Sequence, residues 1–274
     1  MFFLSRNKNL TKKHFVCVKK HHNIAVQKEF SMSKSRILLI IISIFVLLTT
    51  ILTSFYLTVV YFPDKKEEEE RNRLIKEYYE NKLTLYKEEN EKYADYEVDV
   101  AFLGDSLTDG YDLSAYYPEY VTANRGIGGE TTHGLESRLK VSVYDLKPKI
   151  AVMLIGGNNL NTMFENYENI LIGLRDNLPE TKIVLISLTA MGGTFKEKNK
   201  IAAYNNVIIK KLAAKYDFTF VDLYTPLLDE TTGEIYSDYT SDGAHLTSHG
   251  YKVFTDTLTP TLDYLLQKNQ SFEQ

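Results

Sequence analysis

From Ile37 to Phe62 the chain runs for 26 residues without a charged side chain. At a rise of about 1.5 Å per residue, a helix of that length spans a hydrocarbon core of about 30 Å with some tilt. A secretory signal has an apolar stretch of only about 7–15 residues and a small-residue cleavage site. No Ala-x-Ala pattern follows this run. The sequence therefore predicts an uncleaved transmembrane anchor over residues 37–62, in preference to a leader peptide or a helix buried in a soluble core. The flanks give the anchor a direction. Residues 1–36 carry nine Lys or Arg and a single acid, Glu29, whereas the far side is mostly acidic, with Asp64 and Glu67 to Glu70. Basic flanks stay on the cytoplasmic side, so residues 1–36 are expected to form a cytoplasmic tail and the chain beyond Phe62 to lie outside the cytoplasm. Met32 offers an alternative start that would leave a shorter basic head before the same anchor.

Residues 63–97 form a charged tract in which Leu74, Ile75, Tyr79, Leu83, Tyr86 and Tyr93 recur at steps of three, four and seven. That spacing places one apolar stripe on an otherwise solvated helix. A helical stalk packed partly on the domain that follows is the expected form. Three heptads at most, with tyrosines at the seam, are a weak signal for the alternative, a coiled coil between anchors.

From Val98 onward, short apolar runs alternate with helical periodicity. Strands are expected at 98–103, 121–124, 150–155, 182–188 and 218–223, and helices at 131–143, 163–177, 197–216 and 247–267, with Pro260 kinking or dividing the last. The third and fourth strand candidates are almost uniformly apolar, as in a sheet covered on both faces. The pattern predicts an α/β fold: a three-layer αβα, flavodoxin-like arrangement whose five-stranded parallel sheet has the order 2-1-3-4-5. Residues 98–267 would make up this domain and 268–274 a C-terminal tail. A net charge of −4 gives no electrostatic support for a nucleic-acid partner. The one cysteine, Cys17, allows neither an intramolecular disulfide framework nor a thiolate zinc cluster, and no metal or cofactor is expected.

Polar residues gather at the strand ends, where open α/β sheets place their ligands. The first strand stops in Gly104-Asp105-Ser106, and the serine is either an exposed nucleophile or the cap of the next helix. After the second strand comes Gly126-Ile127-Gly128-Gly129-Glu130. Its glycines let backbone N–H groups approach a substrate, or simply allow a tight turn. It lacks the Gly-x-Gly-x-x-Gly spacing of a dinucleotide loop. The third strand ends in Gly156-Gly157-Asn158-Asn159, where Asn158 offers an amide donor or a turn conformation. Of the six histidines, His14, His21 and His22 precede the anchor, His133 is expected in the first turns of a helix, and His249 follows Ser248. His245 has Asp242 three residues before it, so that the acid could hold Nδ1 and leave Nε2 to a serine. Taken alone, Asp and His at that spacing also occur by chance at helix starts.

Together these four blocks resemble the GDSL/SGNH hydrolase family, named for its Ser, Gly, Asn and His. Phe102-Leu103-Gly104-Asp105-Ser106 matches the first block, Gly129 falls at the oxyanion glycine, Asn158 at the oxyanion asparagine, and Asp242-Gly243-Ala244-His245 matches the closing Asp-x-x-His. The resemblance covers residues 98–267 and implies a serine esterase without metal or cofactor. Its catalytic residues would be Ser106, Asp242 and His245, and its oxyanion hole the Ser106 N–H, Gly129 and Asn158. Two positions depart from the family pattern: Asn159 stands where Asp is usual, and Glu130 where Asp is common. The family includes lipases, lysophospholipases, thioesterases and carbohydrate O-acetylesterases. A catalytically idle carbohydrate- or lipid-binding module on the same fold is the reading from another class. A stalk of about 30 residues would span about 45 Å, holding Ser106 clear of the lipid surface. No long apolar lid is evident in 189–195 or 224–239, and Tyr236 and Tyr239 could stack on sugar rings. A membrane-tethered esterase with a short-acyl preference, acting on acetyl groups of a cell-surface glycan such as peptidoglycan, is the resulting expectation. The sequence leaves the oligomeric state open.

Overall fold

The structure, a computed structural model, describes residues 32–270. Most of the basic tail, with His14, Cys17, His21 and His22, lies outside the described residues, as does the end of the C-terminal tail. The chain divides into two compact units, the first ending at Leu74 and the second beginning at Ile75.

In the first unit, helix α1 (Lys34–Tyr56) starts at Ser33, whose side chain accepts the Arg36 N–H at 3.4 Å. None of its residues is buried against the protein. Its hydroxyls turn back onto the helix, as in Ser43 to the Leu39 carbonyl (2.7 Å) and Thr53 to that of Thr49 (2.6 Å). A π-helical turn, Leu57–Tyr61, follows, and then α2, Phe62–Asn90. The widened turn comes just before Pro63, which has no N–H to donate and whose ring would crowd the carbonyl four residues back. The described residues hold one helix long and apolar enough to cross a membrane.

The second unit is the α/β fold that the alternation implies. Strands β1 (Val100–Gly104), β2 (Thr122–Gly126), β3 (Ile150–Leu154), β4 (Lys182–Ile186) and β5 (Thr219–Val221) form one sheet. Its order is β2-β1-β3-β4-β5, with every pairing parallel. Alternation along the strands supplies two cores. Leu103, Ala151, Met153, Ile183 and Leu185 face α5 (Thr132–Leu139), α6 (Tyr167–Asn177) and α7 (Asn199–Lys215). Val100, Phe102, Ile150, Val152, Leu154, Val184 and Ile186 face the other way. They meet Tyr111, Leu113 and Tyr117 around the short helices α3 (Ser106–Asp109) and α4 (Leu113–Tyr116), and the long helix α9, Ser248–Gln270. Between β5 and α9, the one-turn helix α8 (Tyr224–Leu227) leads into a small antiparallel pair, β6 (Leu228–Asp229) and β7 (Glu234–Ile235).

Three local expectations change. Pro260 does not divide α9. A proline inside a helix costs about 3 kcal/mol, but Phe254, Leu258, Leu262 and Leu265 bury that helix against the sheet on both sides of it. The helix expected at 131–143 gives way after Leu139 to a π-helical turn, Lys140–Tyr144. There the carbonyls of Val141 and Ser142 accept from Asn90 Nδ2 (2.7 Å) and Arg125 Nε (3.2 Å). The helix expected from 163 begins at Tyr167, preceded by a separate 3₁₀ turn, Met163–Glu165.

The apolar stripe of 63–97 behaves differently at its two ends. Leu74 and Ile75 are exposed, whereas Tyr86 is buried and its hydroxyl donates to the Gly126 carbonyl at 2.6 Å. Behind it lies Arg125, a fully buried cation in β2. A charge so placed needs partners. Arg125 donates to Glu89, to Asn90 Oδ1 (3.1 Å) and to the carbonyls of Ser142 and Asn124, with the Tyr86 ring 4.7 Å from its guanidinium carbon. The C-terminal turns of α2 are thus built into the second unit.

Candidate active site

Where β1 ends, the chain turns sharply into α3. The cap of α3 is Asp105, whose Oδ1 accepts the Leu107 N–H at 3.1 Å. With the cap supplied one residue earlier, the Ser106 hydroxyl at the first position of the helix is free for other partners. It meets His245 Nε2 at 3.0 Å.

His245 reaches that position from the loop before α9. Thr240 Oγ1 accepts the Gly243 N–H (2.9 Å) and donates to the His245 carbonyl (2.8 Å), closing the loop on itself. Gly243 has φ +94°, and a Cβ there would sit 2.2 Å from the Gly192 carbonyl oxygen. Glycine is therefore required for the close approach that carries the loop to the sheet edge. Asp242 accepts the backbone N–H groups of Ala244 (2.9 Å) and His245 (2.8 Å) through Oδ1, and Nδ1 of His245 at 2.7 Å through Oδ2. Hydrogen bonds from His245, backbone and side chain, and from the Ala244 N–H hold its carboxyl down at about 2. Asp242 is ionised at any ordinary pH, and the Nδ1 contact leaves Nε2 as the acceptor facing the serine. The side chains of His245 and Asp242 are 52% and 48% exposed, so the site is open to bulk solvent.

Gly129 and Asn158 flank the same strand ends. Gly129 has φ +77°, with nothing within 4 Å of where a side chain would stand. Its successor Glu130 is clamped from behind by the buried Arg138, which donates from Nε to Glu130 Oε2 (2.7 Å) and from Nη2 to the Gly104 carbonyl (3.1 Å). Asn158 Nδ2 donates to the Glu130 carbonyl at 2.8 Å and lies 3.4 Å from Asp105 Oδ2. Asn159 turns to a different partner: it receives the Thr132 N–H (3.3 Å) and donates to Thr132 Oγ1 (2.9 Å), fixing the start of α5. His133 and His249 are both exposed.

Nothing in the Gly104-Asp105-Ser106 motif marks Asp105 as a buried acid. It is 5% exposed, and burial raises its pKa to about 6, against the Leu107 N–H and the nearby His245, which lower it. Arg138 was also missed, because its partners Glu130, Ser142 and Gly104 declare themselves only once β1 and α5 pack. Among the described residues no group of three or more His, Cys, Asp or Glu side chains is placed to hold a metal ion.

The profile of the GDSL-like lipase/acylhydrolase family matches residues 102–253, more than half of the chain. The chain belongs to that family. It is an ester hydrolase, and the family span runs from β1 through the Asp242–His245 loop into α9. By sequence, no curated protein matches it. Solved structures share the fold. A provisionally assigned platelet activating factor from Streptococcus pneumonia is 24% identical with TM-score 0.65, covering 72% of this chain and 99% of its own. A GDSL-like lipase from Bacteroides thetaiotaomicron is 23% identical with TM-score 0.59, covering 66% and 97%. The acetylxylan esterase Axe2 from Geobacillus stearothermophilus is 20% identical with TM-score 0.51, covering 61% and 95%. At these identities the likeness is one of fold.

Proposed function

We propose that this family member is a membrane-anchored, extracytoplasmic serine esterase that removes short acyl groups, acetyl foremost, from a cell-surface glycan. The relay from Ser106 Oγ to His245 Nε2 (3.0 Å) and from His245 Nδ1 to Asp242 (2.7 Å) carries the reading. Ser106 Oγ attacks the ester carbonyl as its proton passes to Nε2, and Asp242 stabilises the imidazolium that results. The oxyanion is met by the N–H groups of Ser106 and Gly129 and by Asn158 Nδ2. Collapse breaks the ester C–O bond, the leaving alcohol takes the proton from His245, and an acyl-Ser106 remains. Water, deprotonated by His245, then attacks the acyl carbonyl, and the acid departs with Ser106 restored.

The short-acyl preference rests on the openness of the site. Half-exposed His245 and Asp242 suit an acetyl group presented on a bulky polymer better than a long chain needing an apolar tunnel. Tyr236 is 44% exposed and packs edge-on against Tyr239 a few residues before Asp242, which gives a ring surface for a sugar. The same fold serves an acetylxylan esterase. Anchoring and orientation rest on the exposed apolar α1 and on the excess of basic residues before it.

Hydrolysis of p-nitrophenyl esters from acetate to palmitate by the full chain in detergent tests the acyl preference, with the maximum expected at acetate. A maximum at eight carbons or more overturns it in favour of a lipase or lysophospholipase. Labelling by an organophosphonate tests the nucleophile: one adduct, on Ser106, is expected. An unlabelled, inactive protein would instead indicate a binding module.

A further inference from the structure

One polar cluster beside the reaction site has no part in the chemistry above. Tyr78 and Lys82, one turn apart on α2, both reach Asp109, the last residue of the short helix that begins with Ser106. The Tyr78 hydroxyl donates to Asp109 Oδ2 and the Lys82 ammonium to Oδ1. Lys82 and Asp109 are largely buried, with side chains 24% and 23% exposed. With its proton committed to Asp109, the Tyr78 oxygen accepts the backbone N–H of Gly128 at 3.3 Å. Burial and the Asp109 contact raise the tyrosine's pKa, so the hydroxyl keeps that proton through the neutral range.

Gly128 immediately precedes Gly129. Two successive glycines have no side chains to pack, so their backbone direction is set by whatever binds it. From one side Arg138 holds Glu130. From the other side the only side chain among the described residues recorded as bonding Gly128 is Tyr78.

We propose that Tyr78, aimed by Asp109 and Lys82, is a positioning residue of the oxyanion site: by anchoring Gly128 it sets the direction of the next peptide, whose N–H belongs to Gly129. The C-terminal half of α2, read from sequence as a stalk, is then part of the esterase's working apparatus. This deepens the proposed function and rests on its assignment of Gly129 to the oxyanion.

The test is Tyr78→Phe in the full chain, which keeps the ring and removes the hydroxyl. With p-nitrophenyl acetate, kcat per phosphonate-titrated site is expected to fall about threefold to tenfold, the worth of one neutral hydrogen bond, with KM changed less than twofold. The rate of phosphonylation of Ser106 should fall in parallel, because the phosphonyl oxygen enters the same hole. Lys82→Met should act in the same direction, and the double variant should lose no more than the larger single loss, since the two residues act through one group. Tyr204→Phe, an exposed tyrosine on α7, serves as control and should leave every value unchanged. An unchanged kcat in Tyr78→Phe, with Ser106→Ala inactive, overturns the positioning role and leaves the proposed function standing. An active Ser106→Ala overturns the proposed function itself. If Tyr78→Phe loses only titratable sites while turnover per site is retained, its role is structural and the inference fails.

Discussion

Replacing Asp105 by Asn isolates the energetic cost of the acid that adjoins the nucleophile. The amide oxygen can still accept the Leu107 N–H, so the cap of α3 is kept. What the substitution removes is a buried charge, together with the long acceptor contact that Oδ2 offers Asn158 Nδ2 at 3.4 Å. Burial lifts the Asp105 carboxyl from 3.8 to about 6. Between those pH values the native protein retains a proton that the unfolded chain has released. Stability therefore falls as pH rises through that window, because the folded state binds more protons than the unfolded one. A pKa difference of this size corresponds to about 3 kcal/mol. That amount is absent below pH 3.8, where both states are protonated, and fully felt above pH 6. Asn has no such dependence. Urea unfolding of the full chain in detergent, wild type against Asp105→Asn, should show a gap near zero at pH 3.5. By pH 8 the gap should have opened to about 3 kcal/mol in favour of the variant. A gap that stays flat within about 0.5 kcal/mol across that range would falsify the argument. The variant's gain in stability should come with a loss in kcat, because the carboxylate near His245 favours the imidazolium formed when Ser106 gives up its proton.

Ser106→Ala and His245→Ala should each abolish ester hydrolysis with little change in melting temperature, and substantial turnover by purified Ser106→Ala would refute the nucleophile. Asn158→Ala should lower kcat by about 10²–10³ with a smaller effect on KM. A greater loss in Asn159→Ala would mean that the wrong asparagine has been chosen. Asp242→Asn should depress kcat strongly; because Asp242 ionises at about 2, the acid limb of the wild-type pH profile should not come from this carboxyl. A reporter fused after Gln267 should be active only outside the cytoplasm, and activity inside would reverse the orientation.

The parts of the fold legible in the sequence are those with a short repeat. β3 and β4 are legible as near-continuous apolar runs because both faces of a central strand are buried, and the order β2-β1-β3-β4-β5 is the one expected of a flavodoxin-like αβα arrangement. The Asp242–His245 contact is legible because its partners are three residues apart on one loop. Its meeting with Ser106, across 139 residues, was carried by the family resemblance. The illegible parts depend on distant partners. Arg125 in a buried strand looks like an error of pattern until Glu89 and Asn90 are placed beside it. The π turn after Leu139 has no signature of its own, since it releases the carbonyls that Asn90 and Arg125 use. Tyr78 stands four and three residues after Leu74 and Ile75, beside the apolar stripe of its helix, and nothing nearby in the sequence marks it as a neighbour of Gly128.

These long-range contacts share a physical logic. β2 ends at Arg125-Gly126 and runs on into Ile127-Gly128-Gly129-Glu130, a segment rich in glycine and therefore poorly fixed by its own side chains. Several of its polar groups are held from outside: Arg125 by Glu89, the Gly126 carbonyl by Tyr86, Gly128 by Tyr78, and Glu130 by Arg138 and Asn158. Three of those five partners lie on α2. A loop that must offer an N–H to a developing charge gains rate only if it is already aligned when the charge appears. Glycine permits the conformation, and α2 supplies the rigidity that glycine lacks. An isolated domain beginning at Val98, the boundary suggested by the strand pattern alone, would therefore retain Ser106, His245 and Asp242 but lose three supports of the oxyanion loop. The expected consequence is a protein whose phosphonate labelling and kcat fall together, while the spacing of its catalytic residues in the sequence is untouched.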